Sequence, residues 1–229
     1  MPLSDRGARL LVFVAHPDDE HLVGAGAIAR SIAAGVDVRV VYASRGEAGR
    51  DRRGQVASGD ALAALREAET RASVDRLGGG DVVFLGLPDG GLELDAGRGA
   101  LLWHLTDHAP DVVLTFGSDG AYGHPDHQAC PEIVSAGVAC LPQTARPWIL
   151  HAAYPRDLFQ TTFRMLSRLN IGVSCPSEGL GVSPSEVDIR VNTREIEALK
   201  LAALACHASQ LAHGDPRSFL PGGVVEALL

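Results

Sequence analysis

The sequence lacks the cysteine patterns that mark zinc ribbons and redox motifs. Its four cysteines, Cys130, Cys140, Cys175 and Cys206, stand far apart with no C-x-x-C pair, so they read as buried thiols of a reducing compartment. No apolar run approaches the roughly 20 residues needed to cross a bilayer. The opening MPLSDRGARLLVFVA carries basic residues ahead of an apolar stretch, but that stretch is too short for a signal core and runs straight into His16. A cytoplasmic address is expected. Positive charge is scarce too: 20 Lys and Arg against 28 Asp and Glu leave a formal charge of -8. That balance excludes a surface built to track nucleic acid or anionic lipid. The expected partner is a small molecule, and a homo-oligomer stays open. Internal repeats and low-complexity tracts are missing as well.

What is present is enough apolar material for one core: 229 residues, 46% hydrophobic and 21% charged, fit a single domain over 1–229. Short Val-, Leu- and Phe-rich runs at 9–15, 37–43, 82–85, 112–116 and 148–152 read as strands. Stretches at 20–34, 60–77, 99–108 and 125–140 carry helical periodicity. Alternating elements of this kind predict an α/β, Rossmann-like fold with a mainly parallel sheet flanked by helices, core 1–153. Beyond Trp148 the pattern loosens into a small C-terminal lobe, 154–229, with a strand expected at 187–191 and a helix from Arg194 to about His207. Trp103 and Trp148 read as core anchors.

The polar clusters follow the strands, where ligands gather in open α/β sheets. His16-Pro17-Asp18-Asp19-Glu20 follows the first, Ser44-Arg45-Gly46-Glu47 the second, Leu87-Pro88-Asp89-Gly90 the third, and Gly117 to His127 the fourth. Adjacent carboxylates repel unless a cation or hydrogen bonds neutralise them. Taken alone, Asp18-Asp19-Glu20 also suits a helix start, with a carboxylate cap and acidic first turn. The second cluster, Gly123-His124-Pro125-Asp126-His127, changes that balance. His16 and His127 with one Asp are the ligand mix of a catalytic zinc with an open position, and the set also suits ferrous iron. Gly24-Ala25-Gly26-Ala27-Ile28-Ala29 has dinucleotide-like glycine spacing but lies inside the first helix, so it reads as a packing surface. The loop 49–59, with Arg50, Arg52 and Arg53, is either an idle turn or a cover over the pocket.

AHPDDE after a first strand and YGHPDH after a later one resemble the PIG-L/LmbE-type metal-dependent deacetylases, which act on N-acetylglucosamine attached to varied scaffolds. Ser44 to Glu47, Arg66-Glu67-Ala68-Glu69, Phe84 to Gly90, and Lys200 with His207-Ala208-Ser209-Gln210 extend the resemblance over most of the chain. The resemblance implies that His16, Asp19 and His127 bind zinc and that Asp18 is the general base. It implies His124 as a charged group facing the oxyanion or leaving amine, oriented by Asp126, and Tyr122 as an aid to the tetrahedral intermediate. Arg66 and Asp89 match positions that contact sugar hydroxyls. For Arg66 a solvated face or ion pair is an equal reading, and Asp89 also suits the Pro-Asp-Gly turn.

The chemistry agrees. Amide hydrolysis needs a nucleophile, a stabilised oxyanion and a proton for the departing nitrogen. Zinc supplies the first two, a neighbouring carboxylate takes the water proton, and an imidazole serves the leaving group. The expectation is removal of an N-acetyl group from an amino sugar. An amidase of larger conjugates and a non-catalytic metal-binding homologue are the alternatives. Glu47 is expected to pair with an arginine and His207 to be a packed or capping histidine.

Overall fold

The structure is a computed structural model that describes residues 7–221 and 223–229; the first six residues of the opening segment, on which part of the leader reading fell, lie outside the described residues. Five strands, β1 (Arg9–Val14), β2 (Asp37–Tyr42), β3 (Asp81–Phe84), β4 (Val112–Thr115) and β5 (Trp148–His151), form one sheet in the order β3-β2-β1-β4-β5. Every pairing is parallel. Central β1 is solidly buried from Leu11 through Val14, as a parallel strand covered on both faces must be, which is why its sequence is an unbroken apolar run.

The helices are α1 (Glu20–Val23), α2 (Ala25–Ala33), α3 (Asp60–Arg76), α4 (Leu94–His108), α5 (Gly120–Gly123), α6 (Pro125–Ala139), α7 (Gln160–Arg168), α8 (Glu197–Leu204) and α9 (Val224–Leu228). The chain winds outward from β1 through β2 to β3, then crosses back to place β4 on the other side of β1. The winding direction therefore reverses between β1 and β4. Loops that leave the carboxyl ends of those two strands open a crevice there, the standard ligand position of such sheets.

Strand limits match the sequence expectation to within a residue, and four other elements differ from it. The helix expected over 20–34 breaks at Gly24, whose φ of 156° leaves helical space. The next glycine, Gly26, seats the helix against the C-terminal segment, since a Cβ there would come within 2.3 Å of Thr193 Cγ2. Helix α4 begins five residues before the expected Gly99, running through Gly97, which gives Ile133 of α6 room to pack closely. The strand expected at 187–191 does not form: those residues have no pairing strand, and Ile189 and Val191 are exposed. The helix expected from Arg194 is a 3-10 turn over Arg194–Ile196 followed by the shorter α8.

Two side-chain expectations are also corrected. Trp103 and Trp148 are not core anchors, being 60% and 79% exposed, and the core is filled instead by aliphatic residues with Phe13, Tyr42, Phe116 and Phe159. Of the four cysteines only Cys130 is buried. The buried apolar residues of the C-terminal stretch, among them Phe159, Leu204, Leu211 and Val224, join the same cluster as the sheet.

His108 closes the end of α4 over the sheet, with Nε2 3.2 Å from the Leu10 carbonyl. Burial holds its pKa below the ordinary imidazole value, outweighing that hydrogen bond. The unfolded chain therefore binds the proton more readily, and stability is lost as pH falls below the unfolded pKa of about 6.5. His108→Gln is expected to flatten the fall in unfolding free energy between about pH 7 and pH 5, by up to roughly 1.4 kcal/mol per pH unit, read from denaturant unfolding at each pH. An unchanged slope would remove His108 from this account.

Candidate metal centre and active site

Directly after β1 the chain makes a tight turn. The Asp19 carboxylate accepts from the His16 amide at 2.7 Å, and the Asp19 amide donates back to the His16 carbonyl at 3.2 Å. Between them Asp18 is forced to a φ of +92°. A non-glycine residue there carries strain of about 1–3 kcal/mol, which persists only where the surroundings over-determine it. After β4, Asp119 caps the short α5, accepting from the Ala121 amide at 3.0 Å, and its other oxygen accepts from Gly181 at 2.8 Å. His124 then caps α6 with Pro125 at the first helical position. His127 follows one turn later, buried and stacked on Phe116.

These two turns bring three donors to one point. His127 Nε2 lies 3.3 Å from His16 Nδ1 and 3.2 Å from Asp19 Oδ1, and His16 Nδ1 lies 3.3 Å from Asp19 Oδ2. Four ligands placed tetrahedrally about 2.0 Å from an ion are about 3.3 Å apart, and these separations match such edges, with Asp19 meeting the two rings through different oxygens. The ring tautomers agree. His127 Nδ1 is 3.2 Å from the Gly120 carbonyl, and His16 Nε2 is 3.1 Å from Asp126 Oδ2 and 3.2 Å from Asp89 Oδ1. With the outer nitrogens as donors, the inner nitrogens are the ones left to meet a cation beside the Asp19 carboxylate. That arrangement calls for a cation. Although burial works to raise it, the Asp19 pKa is held far below the usual carboxylate range by His127 and His16.

The outer contacts redistribute several expected roles. Asp126 was expected to orient His124, yet its carboxylate goes to His16 and accepts from the Gly90 and Leu92 amides at 2.8 and 3.1 Å. Only its main-chain amide reaches His124, donating to Nδ1 at 3.2 Å. Asp89 turns from its loop to His16 and also accepts from the Ala48 amide at 2.9 Å. Two carboxylates at the outer nitrogen of one imidazole fix its orientation and raise its basicity, as carboxylates behind metal-binding rings do.

Burial, reinforced by His127 and His16, pushes the His124 pKa down to about 3. The charged imidazolium expected of His124 is therefore not the resting form. It is a neutral ring whose Nδ1 is an acceptor, leaving Nε2–H as the donor. Burial pushes the Asp18 carboxyl up to about 6, with Arg66 opposing and Asp19 adding to the rise. Arg66 is buried and committed: Nη1 donates to the Gly46 carbonyl at 3.1 Å, and Nη2 donates to the Pro17 carbonyl at 2.6 Å and to Asp18 Oδ2 at 3.0 Å. Tyr122 sits 5.1 Å, ring to ring, from His127, and burial holds its phenol well above the ordinary value.

Of two groups left outside the expected site, Glu47 departs from its expected role and His207 is the packed histidine expected of it. Glu47 makes main-chain contacts instead of an arginine pair, accepting from the Asp89 amide at 2.9 Å and from the Arg45 amide at 3.2 Å. His207 is wholly buried against Glu20, with Nε2 2.7 Å from Oε1. The only available signal was its place in the His207-Ala208-Ser209-Gln210 block. The rest of that block docks as well: Ser209 donates to Glu69 through its amide and hydroxyl at 2.7 and 2.6 Å, and Gln210 donates to the Arg50 carbonyl at 3.1 Å.

A doubly wound parallel sheet with two imidazoles and a carboxylate converging at its switch point makes this an α/β protein with a candidate metal centre. The chain belongs to the PIG-L family, GlcNAc-PI de-N-acetylase, whose model matches residues 11–138. It is similar, at 32% identity over 98% of this chain and 85% of the relative, to a 1D-myo-inositol 2-acetamido-2-deoxy-alpha-D-glucopyranoside deacetylase of Nakamurella multipartita. Among solved structures, N,N'-diacetylchitobiose deacetylase of Pyrococcus horikoshii superposes with a TM-score of 0.63 at 25% identity, covering 96% of this chain and 74% of that one. A 4-carboxy-2-hydroxymuconate hydratase from Pseudomonas putida reaches 0.65 at 19% identity, over 96% and 82% of the two chains. That last likeness shows the fold alone and confirms that the fold does not select the reaction.

Ligand and neighbour separate by substitution. His127→Ala is expected to abolish stoichiometric binding of a divalent metal, His124→Ala to leave it, and Asp126→Ala to weaken it by about 10–100-fold. Elemental analysis after dialysis reads all three, and metal retained by His127→Ala would refute the assignment.

Proposed function

We propose that this chain is a metal-dependent deacetylase that removes the N-acetyl group of an N-acetylglucosamine-type conjugate, giving acetate and a free amine. The observation that carries the reading is the triangle of His16, Asp19 and His127 with Asp18 beside it, in a chain whose relatives are named for amino-sugar deacetylation. His16 Nδ1, Asp19 and His127 Nε2 would hold the ion. The donor set favours zinc, with ferrous iron sharing the preference. When bound, the ion supplies Lewis acidity toward the acetyl carbonyl and toward water. The enzyme works as a single domain in the cytoplasm, its 154–229 lobe walling the pocket.

The chain's own groups divide the proton transfers. Asp18 has one oxygen held by Arg66, and its other oxygen accepts the proton of the attacking water. A carboxyl raised toward neutrality suits that task. His124 donates a hydrogen bond from Nε2–H to the developing oxyanion, its tautomer set by the Asp126 amide, and the Asp18 carboxyl passes the proton it took from water to the departing nitrogen. Tyr122, kept protonated by burial, donates a second hydrogen bond to the tetrahedral oxygen. Asp89 at the rim accepts a sugar hydroxyl, while Arg66 contributes through Asp18.

The aglycone leaves past Tyr122 into a cavity of about 620 Å³ lined also by Arg52, Met165, Leu166, Phe219 and Leu220. The 49–59 loop takes part in this wall because the Arg52 amide is pinned to the Ser209 carbonyl at 2.7 Å.

Incubating metal-loaded protein with N-acetylglucosamine conjugates is expected to release amine, and Asp18→Asn to lose on the order of 100-fold to 10,000-fold in rate with metal retained. No turnover of any conjugate, or full rate in the variant, contradicts the proposal. Joint replacement of Arg50, Arg52 and Arg53 by alanine is expected to raise KM for a conjugate with an anionic aglycone and to spare a neutral one. Equal KM values for both would mark the loop as idle.

A further inference from the structure

A second buried polar cluster lies behind the turn after β1, on the side away from the metal triangle. Glu20 is wholly buried, and its two carboxylate oxygens have separate tasks. Oε2 accepts from the Asp18 main-chain amide at 3.1 Å. Oε1 accepts from Ser73 Oγ of α3 at 2.8 Å and lies 2.7 Å from His207 Nε2, a residue that follows α8. His21 Nε2 is 3.0 Å from the same Ser73 hydroxyl. Three distant parts of the chain thus converge on one carboxylate, and that carboxylate converges on the amide of the strained residue.

We infer that Glu20, clamped by Ser73 and His207, is a positioning residue that holds the Asp18 main chain at its positive φ and so aims the Asp18 carboxylate. This rests on the reading of Asp18 as the base. The geometry supports the inference in three ways. Arg66 grips the Pro17 carbonyl and the Asp18 side chain, and the Asp18 carbonyl accepts from the His21 amide at 3.1 Å. The Asp18 amide has Glu20 as its partner, so without that acceptor the strained residue keeps its carbonyl contact but loses the one that fixes its amide. A buried carboxylate with one oxygen unclamped can also turn away from its acceptor task, and hydrogen bonds behind a site commonly carry about 10–100-fold in function.

Glu20, His21 and His207 also bring ligand-type atoms within 4.8 Å of one another. The 2.7 Å separation of Glu20 and His207, with a serine hydroxyl on the same oxygen, is hydrogen-bond geometry. A cation among them is therefore treated as a competing outcome.

The test compares His207→Leu, which removes the donor, with His207→Gln, which keeps one at a similar reach, and with Ser73→Ala as a smaller perturbation from another element. Turnover is expressed per metal-loaded site. The expectation is a fall in kcat of about 10–100-fold for His207→Leu at nearly constant KM, a smaller fall for Ser73→Ala, and substantial recovery in His207→Gln. Hydrogen exchange at the Asp18 amide provides a readout independent of turnover. It should accelerate at least about tenfold in His207→Leu while β1 amides keep their protection. If wild type turns over no conjugate but exchange behaves as stated, the function is refuted and the positioning stands. Unchanged exchange and unchanged kcat per site overturn the positioning. So does a wild-type content of two metal ions that falls to one in His207→Leu.

Discussion

Two imidazole nitrogens and a carboxylate facing one another across 3.2–3.3 Å are the constraint on which the rest of this structure depends. Such a cluster is repulsive without positive charge; although burial works against it, Asp126, Asp19 and Asp89 raise the His16 pKa well above the ordinary imidazole value, so the site draws in a cation, whether a proton or a metal ion. The fold meets the constraint by placing the donors on two loops that meet only because β4 lies beside β1. The sheet order is thus a condition of the chemistry, since β4 placed outside β3 would separate His16 from His127 by the width of the intervening strands.

Around the triangle the hydrogen bonds are arranged so that each ring has one possible role. His16 is backed by Asp126 and Asp89, His127 by the Gly120 carbonyl, and His124 by the Asp126 amide. Asp126 therefore couples the first metal-facing ring to the proposed donor through two different atoms. The C-terminal stretch, which contributes no ligand to the triangle, ties Glu20, Glu69 and the Arg50 loop together through His207, Ser209 and Gln210. It braces the site while also walling the cavity with Phe219 and Leu220.

The sheet was legible because a parallel strand buried on both faces leaves a short, unbroken apolar run, and all five runs became strands. The triangle was legible because its members lie in two compact motifs at strand ends. What stayed hidden involves pairings that no local pattern encodes. Glu20 and His207 are 187 residues apart, and nothing near either announces the other. Arg66 looked like a helix-face arginine because its periodicity does not reveal that Pro17 and Asp18 lie above it. Val187 to Val191 alternates like a strand but has no neighbour to pair with, and pattern without a partner makes no sheet. Trp148 opens edge strand β5, where only one flank is covered, so its size was a poor guide to burial.

The most direct measurement is a crystal structure of the metal-loaded protein with the ion located by anomalous scattering. The account predicts one peak about 2.0–2.2 Å from His16 Nδ1, Asp19 and His127 Nε2, with His124 outside bonding distance. A peak ligated by His124 in place of Asp19, or one seated among Glu20, His21 and His207, would contradict it.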